Sequence, residues 1–356
     1  MFETFELSRF LGKPIRLFVF TRQNQVWRYC TADRDLVIGG NTYYAAQIDR
    51  SEIKQTAERA KDKLTITLAY LRDPAAAEYP VTQPLGNNWF PYVPSSTVTV
   101  MCLATHYGDT DPPAVEWMGQ VTQPKFTDVE LELTCEPTGG TDRARNQGAK
   151  WQRGCWKTVY STGLRGCNLL PGGIPVTGTL SAVSGSNITA PTFTAQARTF
   201  VGGRAEWMDG ATPRSASITA HSGTTLTLSN MTGLAVSSVV TAYTKAFDVA
   251  ATLSAATGLA LSAAAFGSSE FNLAGGSLTW TNDDGLVERR SIMTHSGNNI
   301  TVLYGSADLQ IGLDVVARPP CPRTWGGCAA RSNTDNYGGA IYKPGKSPIE
   351  DSMSWG

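Results

Sequence analysis

The sequence predicts a mainly β chain. An N-terminal antiparallel barrel or sandwich is followed by two small β modules in tandem, inserted before a C-terminal segment rich in Cys, Gly and Pro. Three observations carry this. Over the first 135 or so residues, short runs of apolar and β-branched residues are punctuated by Gly, Asn, Asp and Pro. The middle of the chain repeats itself. The composition is turn-rich, with 35 Gly and 19 Pro in 356 residues, while 41% hydrophobic content against 17% charged supplies a core and argues against disorder.

Taken in order, RLFVFT (Arg16–Thr21), QVWRYC (Gln25–Cys30), KLTITLAYL (Lys63–Leu71), STVTVMCLAT (Ser96–Thr105) and VELELTCE (Val129–Glu136) read as strands. DRDLVIGGNTYY and TDPPAVEWMG read as hairpin-like breaks between them. Short helices are expected only at Ser51–Lys61 and Asp73–Glu78. Strands at this spacing predict an antiparallel barrel or sandwich over residues 1–150.

The repeat is the strongest internal signal. VTGTLSAVSGSNITAPTF (Val176–Phe193) aligns with VAATLSAATGLALSAAAF (Val249–Phe266) at an offset of 73 residues, matching Leu180 to Leu253 and Phe193 to Phe266. GGRAEW (Gly202–Trp207) then meets GGSLTW (Gly275–Trp280), and SITAHSGTTLTL (Ser217–Leu228) meets SIMTHSGNNITV (Ser291–Val302). Residues 176–248 and 249–318 are therefore expected to be two copies of one β unit, each ending strand–HSG–strand. Residues 151–175 and 319–356 flank the pair as a cysteine-rich base with little core of its own.

Charge limits the function classes. Thirty Lys and Arg balance thirty Asp and Glu, so the basic surplus of a nucleic-acid binder is missing and no sequence-specific nucleic-acid partner is expected. A neutral chain also lacks the self-repulsion that opposes assembly. MFETFELSRF has acids where a signal peptide needs a basic start. The most lipid-like stretch, Val249–Gly267, is full of Ser, Thr and Gly and belongs to the repeat, so no membrane insertion is expected. A cytosolic chain keeps its thiols reduced.

The seven cysteines fall into two groups. Cys30, Cys102 and Cys135 lie inside apolar strands and read as small buried hydrophobes. Cys155 and Cys167 lie just before the repeat pair, and Cys321 and Cys328 just after it, all with Gly or Pro neighbours. Joining the two pairs would close both ends of the duplicated insertion at one base. Four convergent thiolates read as a metal site or a cluster, with disulfides or unlinked thiols as alternatives. Zinc favours two to four residues between paired cysteines, fewer than here; a cubane iron–sulfur cluster also takes four thiolates and spans a wider space. Spacing alone does not choose between them.

These residues carry a resemblance covering nearly the whole chain. RYCTADRDLVIGGNTYYAAQIDRSEI (Arg28–Ile53), KDKLTITLAYLRDP (Lys61–Pro74), the Cys155/Cys167 turn, the GG…W and HSG signatures, and Cys321, Cys328 and NYGGAIYKPG (Asn336–Gly345) follow one another in the expected order. In this the chain resembles the baseplate hub, or tail-tip, family of long, flexible-tailed phages and of gene transfer agents. The resemblance implies a β-barrel hub and a [4Fe–4S] cluster held by Cys155, Cys167, Cys321 and Cys328. It also implies a homotrimer whose neighbours are the distal tail protein, the tape measure protein and a central fibre or spike protein. The chain would reside in the host cytoplasm during assembly and then in the virion. Two departures stand out: the β module is doubled, and its first copy has Lys245 where the second runs into Cys321. The phenylalanine familiar before the GG is Tyr337 here.

Other chemistry is weakly marked. His221 and His295 at the HSG turns, and His106, read as structural. Asp209, Asp283 and Asp284 fall in the turn sequences WMDG and WTNDDG rather than in a glycosidase pair. PGKSP (Pro344–Pro348) lacks the context of a phosphate loop. Trp156 and Trp325 would either shield the cysteine site or pack in a core. No enzyme is expected. The leading expectation is a structural hub stapled by a cluster, and the alternative is a glycan-binding tail-tip module with a structural zinc.

Overall fold

A computed structural model describes residues 12–53, 62–137, 151–194, 196 and 198–343. The chain divides into two compact units. The first comprises residues 1–147 with Thr281–Glu288 and Ser306–Asp308; the second comprises Gly148–Trp280, Arg289–Gly305 and Leu309–Gly356. The mainly β class is borne out by three large sheets.

In the first unit, β1 (Pro14–Arg22), β2 (Gln25–Cys30), β3 (Leu36–Ile38), β4 (Asn41–Ala45), β5 (Ile48–Arg50), β6 (Leu64–Ala69), β7 (Thr99–His106), β8 (Ala114–Phe126) and β9 (Glu130–Pro137) form one sheet. Its order is β3-β4-β2-β1-β7-β8-β9-β6-β5. Alternation sorts β1 between two faces. Phe18 and Phe20 enter a core with Tyr29 of β2 and Ile48 of β5, while Ile15 and Leu17 enter a smaller cluster with Cys30, Tyr43 and Leu103. Strands this far apart in the sheet share a core only if the sheet curls. The five expected strands are present. Gly39 and Gly40 make the β3–β4 turn at φ +58° and +78°, the conformation a two-residue hairpin demands.

Two expectations need correction or limits. Asp73–Glu78 is not a helix: Asp73 Oδ1 accepts from Ala75 N at 2.8 Å, closing an isolated turn. Pro80 then biases Tyr79 away from helical backbone. The short helix α1 forms later, at Gln83–Gly86. Of the Ser51–Lys61 candidate, residues 51–53 are irregular and 54–61 lie outside the described residues.

The first unit also holds a buried ion pair. Arg22, 4% exposed, binds Glu288, itself 4% exposed. Arg22 also donates to Ser96 Oγ and Asn88 Oδ1 at 2.9 Å each, and Glu288 Oε2 accepts from Ser95 N at 3.1 Å. Burial would raise the Glu288 pKa, but the bonds from Arg22 and Ser95 outweigh it and hold the carboxyl below its usual range.

Two seven-stranded sheets of the same plan follow, nearly all of their residues in the second unit; Thr281, Val287 and Glu288 of the second sheet count with the first unit. The first runs β10 (Pro175–Thr179), β11 (Ala182–Ser184), β12 (Asn187–Thr189), β13 (Arg204–Asp209), β14 (Thr212–Ser222), β15 (Thr225–Leu228) and β16 (Val239–Tyr243). The second runs β17 (Val249–Thr252), β18 (Ala255–Thr257), β19 (Ala260–Ser262), β20 (Ser277–Thr281), β21 (Val287–Ser296), β22 (Asn299–Val302) and β23 (Asp314–Arg318), with a one-turn helix α2 at Ala264–Gly267. Their orders, β10-β16-β13-β14-β15-β12-β11 and β17-β23-β20-β21-β22-β19-β18, correspond strand for strand. The repeated sequence positions are the core positions: Leu180 and Leu253, Phe193 and Phe266, Trp207 and Trp280, Ile218 and Ile292 are all buried. Even the bulge recurs, between Ile218 and Ala220 in one copy and between Ile292 and Thr294 in the other.

The HSG turn is now explicable. Gly223 and Gly297 take φ +58° and +54° at the two-residue turns. The histidine Nε2 contacts two carbonyls: Phe193 O at 3.0 Å and Gly223 O at 2.9 Å for His221, and Phe266 O and Gly297 O at 3.1 Å for His295. His295 Nδ1 accepts from Leu273 N at 3.1 Å, so its proton is on Nε2. Each ring thus ties the phenylalanine that plugs its module to the turn. His295→Ala strands these groups and is expected to cost about 1–3 kcal/mol, with metal content unchanged; thermal unfolding and metal analysis of one preparation check both.

Candidate functional site

Cys155, Cys167, Cys321 and Cys328 all line one pocket, together with Lys157, Val159, Arg323, Thr324, Asn336 and Tyr337. The four come from the two segments that flank the duplicated sheets. Cys155, Cys167 and Cys328 are buried and Cys321 is half-buried. By contrast Cys30, Cys102 and Cys135 are core residues of the first unit, and burial pushes the Cys102 and Cys135 thiols up to about 12.

Local chemistry sets three of the four cysteine-bearing turns. Cys155 lies against the tail because its N–H donates to Arg323 O at 2.8 Å. Cys167 closes a loop organised by Asn168, whose side chain bonds both the N–H and the C=O of Gly163, while Ser161 Oγ accepts from Cys167 N at 3.0 Å. Cys328 sits in a one-turn helix α3 (Trp325–Ala329) capped by Thr324, whose hydroxyl accepts from Gly327 N. The glycines of NYGG have a steric purpose: a Cβ on Gly339 would come within 2.3 Å of Arg153 O. Only glycine lets the tail lie this close to the first cysteine segment.

Two residues that no motif marks tie together the turns of Cys167, Cys321 and Cys328. Asn333, 8% exposed, donates from Nδ2 to Cys167 O at 2.8 Å and toward Cys167 Sγ at 3.6 Å. Its own carbonyl accepts from Cys328 Sγ at 3.0 Å. Arg331, 4% exposed, donates to Pro320 O at 2.8 Å and Gly327 O at 3.1 Å. Those carbonyls belong to the residues immediately before Cys321 and Cys328. Neither residue stood out in sequence, because both roles depend on where the tail returns.

Electrostatics agree with convergence. Burial first, then the Cys167, Cys321 and Cys155 thiols, push the Cys328 pKa up to about 11, with Arg331 opposing. Gly338 N donates to Cys155 Sγ at 3.3 Å. The donor set suits a soft metal centre: four sulfurs, N–H donors on two of them, and lysine and arginine nearby to offset thiolate charge. All seven cysteines are free thiols, and among the described residues no three His, Cys, Asp or Glu are gathered as ligands of a single ion.

The remaining candidates resolve into structure. Lys245, at the position matching Cys321, does not line the pocket; its Nζ pairs with Glu270 at 3.2 Å, and Arg198 joins the same carboxylate at 3.4 Å. Trp156 and Trp325 do not line it either. Tyr337 does, with Trp325 stacked edge-on to it at 5.3 Å. Asp209 pairs with Arg214 beside the β13–β14 turn, and Asp283 and Asp284 lie in the turn closed by Gly285 N donating to Asn282 O. His106 ends β7 in the first unit. PGKSP lies outside the described residues. Among the described residues no helix is long and apolar enough to cross a membrane.

Fold and site define a β-rich chain with a duplicated seven-stranded module whose flanking segments bring four cysteines to one pocket. It belongs to the family of an uncharacterized protein of Xylella fastidiosa (strain 9a5c), 38% identical over 478 aligned positions that cover all of both chains. Its fold is shared with a chain in the virion of a native gene transfer agent particle, with a TM-score of 0.53 at 12% identity, covering 99% of this chain and 97% of that one. No family model matches the chain.

Proposed function

We propose that this chain is a structural component of a virion tail, a baseplate hub or tail-tip protein, and that Cys155, Cys167, Cys321 and Cys328 bind a [4Fe–4S] cluster that staples its base. The observation that carries the reading is that cysteines from both flanks of the duplicated sheets line a single pocket. The fold shared with a gene transfer agent virion chain supports the tail assignment. The role is non-catalytic, and the expected company is two further copies of the chain, a distal tail protein, a tape measure protein and a central fibre or spike protein. The chain is made in the host cytoplasm and ends in the particle.

Bound there, the group would supply a covalent cross-link. The chain's own residues do the rest: Asn333 and Gly338 direct N–H groups at two sulfurs, and the buried base restricts water. A cross-link between Cys167 and Cys321 closes a very long loop, which in chain-entropy terms is worth about 4–5 kcal/mol. Gly- and Pro-rich segments with little core need such a staple.

Protein purified without oxygen is expected to be coloured, with about four irons and four sulfides per chain. Colourless protein with about one zinc per chain would replace the cluster by a four-cysteine zinc site. Protein free of metal would sink the site.

A further inference from the structure

We infer that Arg331 couples the four-cysteine pocket to the seating of the two β modules, so that a change at either is felt at the other. The inference rests on the site proposed above and adds a positioning residue to it. One guanidinium bridges the carbonyls preceding Cys321 and Cys328, and thereby fixes the separation of the two tail cysteines. The same guanidinium lies 4.1 Å over the Phe271 ring, in the loop between α2 and β20 of the second module. Phe271 packs on Phe247 with ring centroids 5.5 Å apart, and Phe247 follows the last strand of the first module. Arg198 of the first module covers Phe247 at 3.5 Å.

The stack therefore reads arginine, phenylalanine, phenylalanine, arginine. Both arms of the pocket lean on it: Phe247 packs with Cys167 and Leu169 in one small cluster, with Phe271 against it, while Arg331 holds the carbonyls before the two tail cysteines, Cys321 and Cys328. Arg331 Nε has no hydrogen-bond partner although the side chain is buried. Linkage makes the coupling reciprocal: whatever fixes the sulfurs fixes the stack, and whatever loosens the stack loosens the sulfurs.

The test compares full-length wild type with Arg331→Met, Arg331→Lys and Phe271→Ala. Two quantities are read: the rate of iron release to an added chelator, and hydrogen exchange in residues 264–276. Arg331→Met is expected to raise the release rate at least tenfold and to speed exchange in 264–276. Phe271→Ala, which removes no cysteine and no hydrogen bond to a cysteine-bearing turn, is expected to raise release by a similar factor. Arg331→Lys keeps the charge but loses the planar fork whose two nitrogens span the two carbonyls, so it should behave like Met; it is the deciding variant if Arg331→Met does not fold. Unchanged release in Phe271→Ala and in the folded Arg331 variants would overturn the coupling. If the wild type holds no iron, the proposed function fails separately, and the coupling is judged on the thiols alone. Faster iodoacetamide alkylation of Cys321 and Cys328 in both Phe271→Ala and the folded Arg331 variants would then support it, and equal rates would overturn it.

Discussion

Cys328→Ser is expected to abolish iron and sulfide binding and to lower the thermal midpoint of the second unit's unfolding, while leaving the first unit's transition in place. The sulfur at this position is held on both sides. Its own Sγ donates to Asn333 O, and Asn333 reaches across to Cys167. Losing one of four ligands removes the closure of the long loop that contains both modules, so the expected cost approaches the whole staple, about 4–5 kcal/mol. Cys102→Ala is the matching control. Cys102 is 1% exposed in the core of the first unit, and its truncation should cost about 1 kcal/mol by cavity formation without altering metal content. Differential scanning calorimetry with iron analysis on both variants separates the two kinds of cysteine. Equal metal loss in both would refute the division.

Glu288→Gln is expected to destabilise the first unit by about 3–5 kcal/mol, because it leaves the Arg22 guanidinium buried without its counter-charge. The double variant Arg22→Met with Glu288→Leu should recover most of that loss, since exchanging a buried pair for apolar residues is often neutral. Chemical denaturation of the three proteins checks the order. The same pair predicts an acid dependence. The folded-state pKa of Glu288 lies below its ordinary value of 4.5. Its contribution is therefore complete at neutral pH and is lost as pH falls below about 4.5 toward the folded value. The wild type should lose stability over that range more steeply than Glu288→Gln.

Much of this was legible from residues alone, and the misses have physical causes. The duplication was legible because Leu, Phe, Trp and Ile recur at matched positions, and those are the positions a small β core cannot vary. The four cysteines were legible by position relative to the duplication, although pocket formation depends on contacts far apart in sequence. Strand β8 was missed as a strand. Its inward positions are Trp117, Gly119 and Val121, and the glycine reads as a turn residue. In fact Gly119 is the seat for the Trp117 ring, which a Cβ there would meet at 2.0 Å. Asp73–Glu78 erred the other way: helix-forming alanines were outweighed by an aspartate turn before and a proline after. Arg331 and Asn333 have no local signature at all.

The position where the first module departs from the second has a mechanical consequence. The second module ends in Cys321, and its joint to the base is as stiff as whatever the sulfurs hold. The first module ends in Lys245, and its corresponding joint is ionic, with Lys245 and Arg198 sharing Glu270 at a partly exposed site. Exposed ion pairs soften in salt. Under load the two joints act as unequal springs in series, and strain concentrates in the compliant one. With a cluster held at the base, as proposed above, the first module is expected to yield before the sulfur-bearing base does.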